Sequence, residues 1–265
     1  MKDQQNSAYI SHKSKLLKSF DKTAMLVRDT VVSRYGEDFA NQLYQEARQE
    51  FEALIPQMPY IDRKAAMLRT FLFITTQELA VYKVMKRHDK TAAEAWEICH
   101  DGLRLRLNNV PQIVRWLVEK LYFSNFVRKR MQTTTAQTQE QPLSGFVMEF
   151  VPGDGEDFDY GVNYLQCTLH KFVCEQGAAE FAPYVCLSDI PLGDTFGWGV
   201  IRSETLADGC QRCNFRFKKG SETQISSLTP EVQATIERIR QREATLKNQQ
   251  HKKQIKKATE IKNYH

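Results

Sequence analysis

No stretch of this chain approaches the roughly 18 consecutive apolar residues that a membrane-crossing helix needs. The most apolar stretch, around Phe71–Ile74, is flanked by Arg69 and Glu78. The start, Met1-Lys2-Asp3-Gln4-Gln5-Asn6, lacks the apolar centre of a secretion signal, so a cytoplasmic location is expected. Glycine and proline are scarce, 12 and 8 of 265 residues, which excludes collagen-like and low-complexity chains. A glycine-rich phosphate loop, a G-x-S-x-G elbow and an H-E-x-x-H pair are also missing.

What is present is enough apolar material for a core: 42% of residues are hydrophobic and 26% charged. The net charge of +5 is local. Nine Lys/Arg against four Asp/Glu fall between Glu231 and His265, a surplus of five, so the remaining 230 residues are neutral overall. A basic tail, rather than a basic groove, argues against a specific nucleic-acid partner.

Residues 1–131 read as a helical region. Leu16, Phe20, Ala24, Val27 and Val31 form one stripe, stopped by Gly36. Phe39, Leu43, Ala47, Phe51 and Leu54 form a second, ended by Pro56; Leu68, Phe71, Leu72, Thr75, Leu79 and Tyr82 form a third. Thr91-Ala92-Ala93-Glu94 is a capping box opening a fourth helix, with Ala92, Ala95, Trp96, Cys99 and Leu103 on its apolar face. Pro111 starts a fifth, with Val114, Leu117 and Leu121 expected to pack.

Residues 132–143, rich in Thr and Gln, read as a linker or exposed loop. In 144–220 the apolar period drops to two, with short helices interspersed. Strands are expected at Phe196–Thr205 and Cys210–Lys218, joined by a type I′ turn at Asp208-Gly209. Thr229-Pro230-Glu231 opens a basic C-terminal helix or tail over 229–265, with Val232, Ile236, Ile239 and Leu246 as its stripe. The fold class is α+β: an N-terminal helical layer packed with a small antiparallel sheet, and a long C-terminal helix.

Five of the six cysteines lie between 167 and 213. Without a secretion signal they are expected as reduced thiols. Counting outward from Asp208-Gly209 pairs Ala207 with Cys210, Glu204 with Cys213 and Arg202 with Phe215. Arg202, Glu204, Cys213, Phe215 and Phe217 then share one sheet face. A buried Arg202 needs an anion, either Glu204 or a substrate carboxylate. Cys167, His170 and Cys174 stack along a short helix, and an imidazole beside a thiol can make a nucleophile. Cys186 and Asp189 stand three apart near an expected helix end before Pro191, where Asp189 could orient a His, act as a base or cap a turn. Taken singly, each cysteine is more often a small buried hydrophobe, Cys99 above all. Cys210 and Cys213 point to opposite faces of a strand, which argues against zinc. The acidic run at Asp154, Glu156, Asp157 and Asp159 has Leu165 where a calcium loop carries Glu, so no metal and no cofactor are expected.

The ordered set Cys167, Cys186-Leu187-Ser188-Asp189, Arg202-Ser203-Glu204-Thr205-Leu206-Ala207-Asp208-Gly209 and Cys213-Asn214-Phe215-Arg216-Phe217 resembles the L-2-amino-thiazoline-4-carboxylate hydrolase family. Asn214 stands where the family pattern commonly has Asp. The resemblance implies hydrolytic opening of a small cyclic amidine or thiazoline carboxylate at the carbon between nitrogen and sulfur. It implies catalytic Cys186 (nucleophile or thiol acid), Asp189 (base or orienter) and His170, with Arg202, Thr205 and Cys213 on the substrate. The partner is then a small-molecule carboxylate, with no membrane; separately, the 232/236/239/246 stripe makes the C-terminal helix a candidate for homo-oligomer formation. Two other readings compete. One is a small-molecule sensor using the aromatic face of Phe196, Trp198, Phe215 and Phe217, by fold-level analogy with vinyl-reductase-like domains. The other is a scaffold held by the C-terminal helix.

Overall fold

The computed structural model describes residues 9–245. Among the described residues six helices of more than ten residues precede a small sheet, and the apolar stripes of the first four are what bury them. α1 (Lys13–Tyr35) and α2 (Glu37–Leu54) form a hairpin at Gly36, whose positive φ of 87° suits glycine. α3 (Ala66–Arg87) and α4 (Ala92–Asn108) complete the layer. Thr91 and Glu94 make the capping box in both directions. Phe20, Phe51, Leu72, Leu79 and Trp96 are buried where the four helices meet.

α5 (Gln112–Tyr122) departs from expectation. Its N-cap is Pro111, as the sequence suggests, but Val114, Leu117 and Leu121 face solvent. The helix docks through its other side, with Tyr122 buried.

The stretch read as a linker is not one: α6 spans Asn125–Glu140. Its threonines supply the reason. Thr135 and Thr138 are buried, and the Thr138 hydroxyl accepts from the Met148 amide (2.9 Å) while lying 3.2 Å from the Met148 carbonyl. Polar residues thus pin this helix to the first strand, a signal that apolar periodicity misses.

The sheet order is β1-β2-β4-β3-β5, from β1 (Val147–Pro152), β2 (Tyr160–Gln166), β3 (Val200–Arg202), β4 (Cys213–Phe217) and β5 (Gln224–Ile225). Its pairs are antiparallel except β3 with β5, which is parallel, so the sheet is mixed rather than wholly antiparallel. The β3–β4 register, Val200↔Phe217 and Ile201↔Arg216, is the one counted from Asp208-Gly209. The turn is different. Residues 206–208 form a 3-10 turn and only Gly209 has positive φ, whereas type I′ needs two such residues. β3 is also shorter than expected, because Phe196 ends a helix whose C-cap is left-handed Gly197.

Between β2 and β3 run α7 (Thr168–Glu175), α8 (Ala182–Val185) and α9 (Asp189–Phe196), with a 3-10 turn at Cys186–Ser188 joining the last two. α10 covers 230–245. Its Val232, Ile236 and Ile239 are buried within the chain, while Leu246 lies outside the described residues. Arg238, Arg240 and Arg242 pair with Glu97, Asp194 and Asp101. The three arginines in the described part of the C-terminal helix are therefore ion-paired to their own chain while staying partly exposed. Among the described residues no helix is long and apolar enough to cross a membrane.

Candidate active site

α3, α7, the 186–196 run and one sheet face enclose a cavity of about 120 Å³. The sheet contributes alternate residues: Val200 and Arg202 from β3, Cys213, Phe215 and Phe217 from β4, and Tyr164 from β2. That alternation follows from the antiparallel register, which stacks Tyr164 opposite Cys213.

Arg202 is buried and its Nη1 stands 2.5 Å from Asp189 Oδ2. Its partner is therefore Asp189. Glu204 leaves the strand and bonds Arg212 at 3.1 Å instead. The Arg202 guanidinium also lies over the Phe215 ring, 5.2 Å from the centroid, and its Nε has no hydrogen-bond partner. Asp189 opens α9 rather than standing near a helix end. Pro191 fits in the same first turn, where an amide would have no helical partner. Burial pushes the Asp189 carboxyl up, opposed by the charge and hydrogen bond of Arg202.

Cys186, three residues before Asp189, lines the same cavity. Burial raises its thiol strongly, against the pull of Arg202. Burial likewise pushes Cys167 and Cys213 up to about 12. All three thiols are protonated at neutral pH.

His170 also lines the cavity, and burial lowers its pKa. Its Nε2 lies 3.5 Å from the Sγ of Cys174, so the imidazole–thiol contact expected along this short helix is that of His170 with Cys174. Among the described residues no three His, Cys, Asp or Glu side chains gather as a metal site would require. The six cysteines are free thiols.

Thr205 is the one expected site residue outside the cavity. It is buried and accepts from the Asp208 amide at 3.0 Å, holding the 206–208 turn. Asp208 in turn accepts from Ser227 and Thr229. This part of the sequence motif anchors the turn to the start of α10. Asn214 is also structural: its Oδ1 accepts from the amides of Ser203 (2.9 Å) and Glu204 (2.8 Å), and it does not line the cavity.

The residue that sequence reasoning missed is Glu78. It is buried on α3, lines the cavity, and accepts from the Ser188 hydroxyl at 2.6 Å, while its Oε2 has no partner. Burial, with the Asp189 charge nearby, pushes its carboxyl up to about 8. The signal was available. Glu78 falls three residues after Thr75 and four before Tyr82, on the apolar stripe itself. Glu78 and Ile74 also wall a larger, mainly apolar cavity of about 440 Å³ among α1–α4.

Seven chemistry-bearing side chains thus converge: Glu78, Cys167, His170, Cys186, Asp189, Arg202 and Cys213. All seven fall inside residues 67–217, the span matched by the sequence model of L-2-amino-thiazoline-4-carboxylic acid hydrolase. That span is more than half of the chain, and the protein belongs to this family. No curated protein and no solved structure matches the chain significantly.

Proposed function

We propose that this protein hydrolyses a small cyclic amidine carboxylate of the 2-amino-thiazoline-4-carboxylate type. The observation that carries the reading is the Asp189–Arg202 ion pair lining one small cavity together with Glu78, Cys167, Cys186 and Cys213.

The substrate ring has an electrophilic carbon between nitrogen and sulfur. Opening it requires addition of water oxygen to that carbon, cleavage of the carbon–sulfur bond, and a proton for the departing sulfur. Arg202 offers spare donors to the substrate carboxylate in a dry setting, where charge-assisted bonds are strong. Asp189, held by Arg202, is the base that draws a proton from water. Glu78 and Cys186 carry the protons that the leaving sulfur needs. Burial raises both carboxyls, but only Asp189 has a cation beside it, and that difference in partners divides the base role from the acid role. A covalent route through Cys186 would need Asp189 to deprotonate the thiol first, since burial keeps it neutral. Cys213 and His170 are polar walls.

The aromatic lining supports a second reading, a binding module for a flat apolar ligand. Tyr122, Tyr164, Trp198, Phe215 and Phe217 all face the cavity, whereas Phe196 does not line it. Incubation with 2-amino-thiazoline-4-carboxylate separates the two. The hydrolase releases a free thiol and a product heavier by one water. A sensor retains the ring intact in native mass spectrometry.

A further inference from the structure

α5 is turned inside out. An amphipathic helix on a soluble domain normally presents its apolar stripe to the core. Here Ile113, Leu117 and Leu121 recur every four residues along the outer line, exposed by 61%, 52% and 60%. Val114 and Trp116 flank them, also exposed, and Phe126 at the start of α6 is 68% exposed. Arg115 and Glu119 point the other way. Arg115 donates to the carbonyls of Leu107, Asn108 and Val110, and half-buried Glu119 lies 3.8 Å from Lys219. A contiguous apolar surface of this kind marks an interaction site.

Charge selects the occupant. From 111 to 131 the chain carries Arg115, Lys120, Arg128, Lys129 and Arg130 against Glu119 alone. Lys120, Lys129 and Arg130 are exposed beside the apolar stripe, and Lys120 sits 5.2 Å over the Trp116 ring centroid. A second copy docked face to face would bring these cations together. Residues 246–265 hold six lysines and one glutamate, so they too would be repelled. An apolar stripe edged by Trp, Phe and cations matches the headgroup boundary of an anionic bilayer, which is both negative and deformable around a convex helix.

We propose that the outer face of α5, with Phe126, lies on the surface of an anionic lipid bilayer. The sequence argued against a membrane-spanning helix; lying on a bilayer needs no span. The proposal is independent of the reaction assigned above.

The full-length protein is mixed with phosphatidylcholine vesicles with or without phosphatidylserine, followed by co-sedimentation and tryptophan emission. Trp116 is the exposed tryptophan, while Trp96 and Trp198 are buried, so emission reports on this face. The expected result is sedimentation with the phosphatidylserine vesicles, weakened by salt, and a blue shift that Trp116→Phe removes. An Ile113→Ser/Leu117→Ser double variant, on the solvent side and so expected to fold, should weaken binding roughly tenfold or more. Three results would overturn the proposal: no lipid-dependent shift; vesicle binding unchanged in the double variant, which would assign it to the basic tail; or a concentration-dependent oligomer that already shields Trp116 without lipid.

Discussion

Asp189 Oδ2 and Arg202 Nη1 meet at 2.5 Å in the cavity wall, joining the first residue of α9 to the last residue of β3. The arginine side chain is almost wholly buried and the aspartate is a quarter exposed. The pair therefore has two jobs: it closes the gap between a helix start and a strand end, and it leaves part of a guanidinium available to an anion.

Breaking that pair from one side should be costly. Arg202→Ala leaves a largely buried carboxylate unpaired and is expected to destabilise by about 2–4 kcal/mol, below the cost at a fully buried pair because Asp189 is a quarter exposed. Arg202→Met combined with Asp189→Leu should recover much of the loss, because neither charge is then stranded. Urea unfolding of the singles and the double reads both numbers.

The cavity thiols should resist alkylation. At pH 7 iodoacetamide should leave Cys186 and Cys213 largely unmodified in the folded protein, since burial raises both thiols. After unfolding, all six cysteines should react. Peptide mass mapping distinguishes a protonated Cys186 from an activated thiolate, which would react first. If the covalent route operates, Cys186→Ala and Cys186→Ser should both lose turnover; if the thiol is one of two proton sources, loss should be partial.

Glu78 should impose a pH dependence on stability. Its folded pKa is raised from 4.5 to about 8, so the folded state keeps a proton that the unfolded state releases. The favourable contribution is complete below about pH 4.5 and declines as pH rises toward 8, by about 1.4 kcal/mol per pH unit. Glu78→Gln should remove that slope. Thermal melts of wild type and variant from pH 5 to pH 8 make the comparison, and parallel curves would refute it.

Glu243 should behave in the opposite sense. Burial opposes its ionisation, but the His100 ring 3.3 Å away and the charges of Arg104 and Arg240 win, lowering it to about 2. Its contribution is present above the ordinary carboxylate range and lost as pH falls toward 2. Because it forms an ion pair with Arg104 at 2.9 Å across α4 and α10, Glu243→Gln should loosen α10 selectively. Hydrogen exchange over 230–245 should rise while α3 stays protected.

Most of the helical layer could be read from apolar spacing, because Leu16, Phe51 and Trp96 occupy the buried side of ordinary amphipathic helices. α5 could not, since its stripe carries the same spacing yet faces outward. Periodicity reports a surface that wants covering, not what covers it. α6 was hidden for the reverse reason: Thr135 and Thr138 bury hydroxyls that bond the backbone, and composition alone suggests a loop there. Within the site, the β3–β4 register and the grouping of Cys186, Asp189 and Arg202 were legible. The Glu204 alternative for Arg202 was resolved only by the early end of β3. Glu78 stood in plain view as a charged residue on a buried stripe, some 110 residues before the Ser188 it bonds. Long-range contacts of that kind leave no local trace.

The central claim is that a buried guanidinium holds a substrate carboxylate while the adjoining ring is opened. The most direct measurement is thiol release from 2-amino-thiazoline-4-carboxylate beside the same ring lacking its carboxylate. A charge-assisted bond to Arg202 predicts steady thiol release from the first and kcat/KM lower by roughly 10- to 100-fold for the second, a gap that shrinks in Arg202→Ala. Equal rates for the two rings, or no thiol from either, would contradict the account.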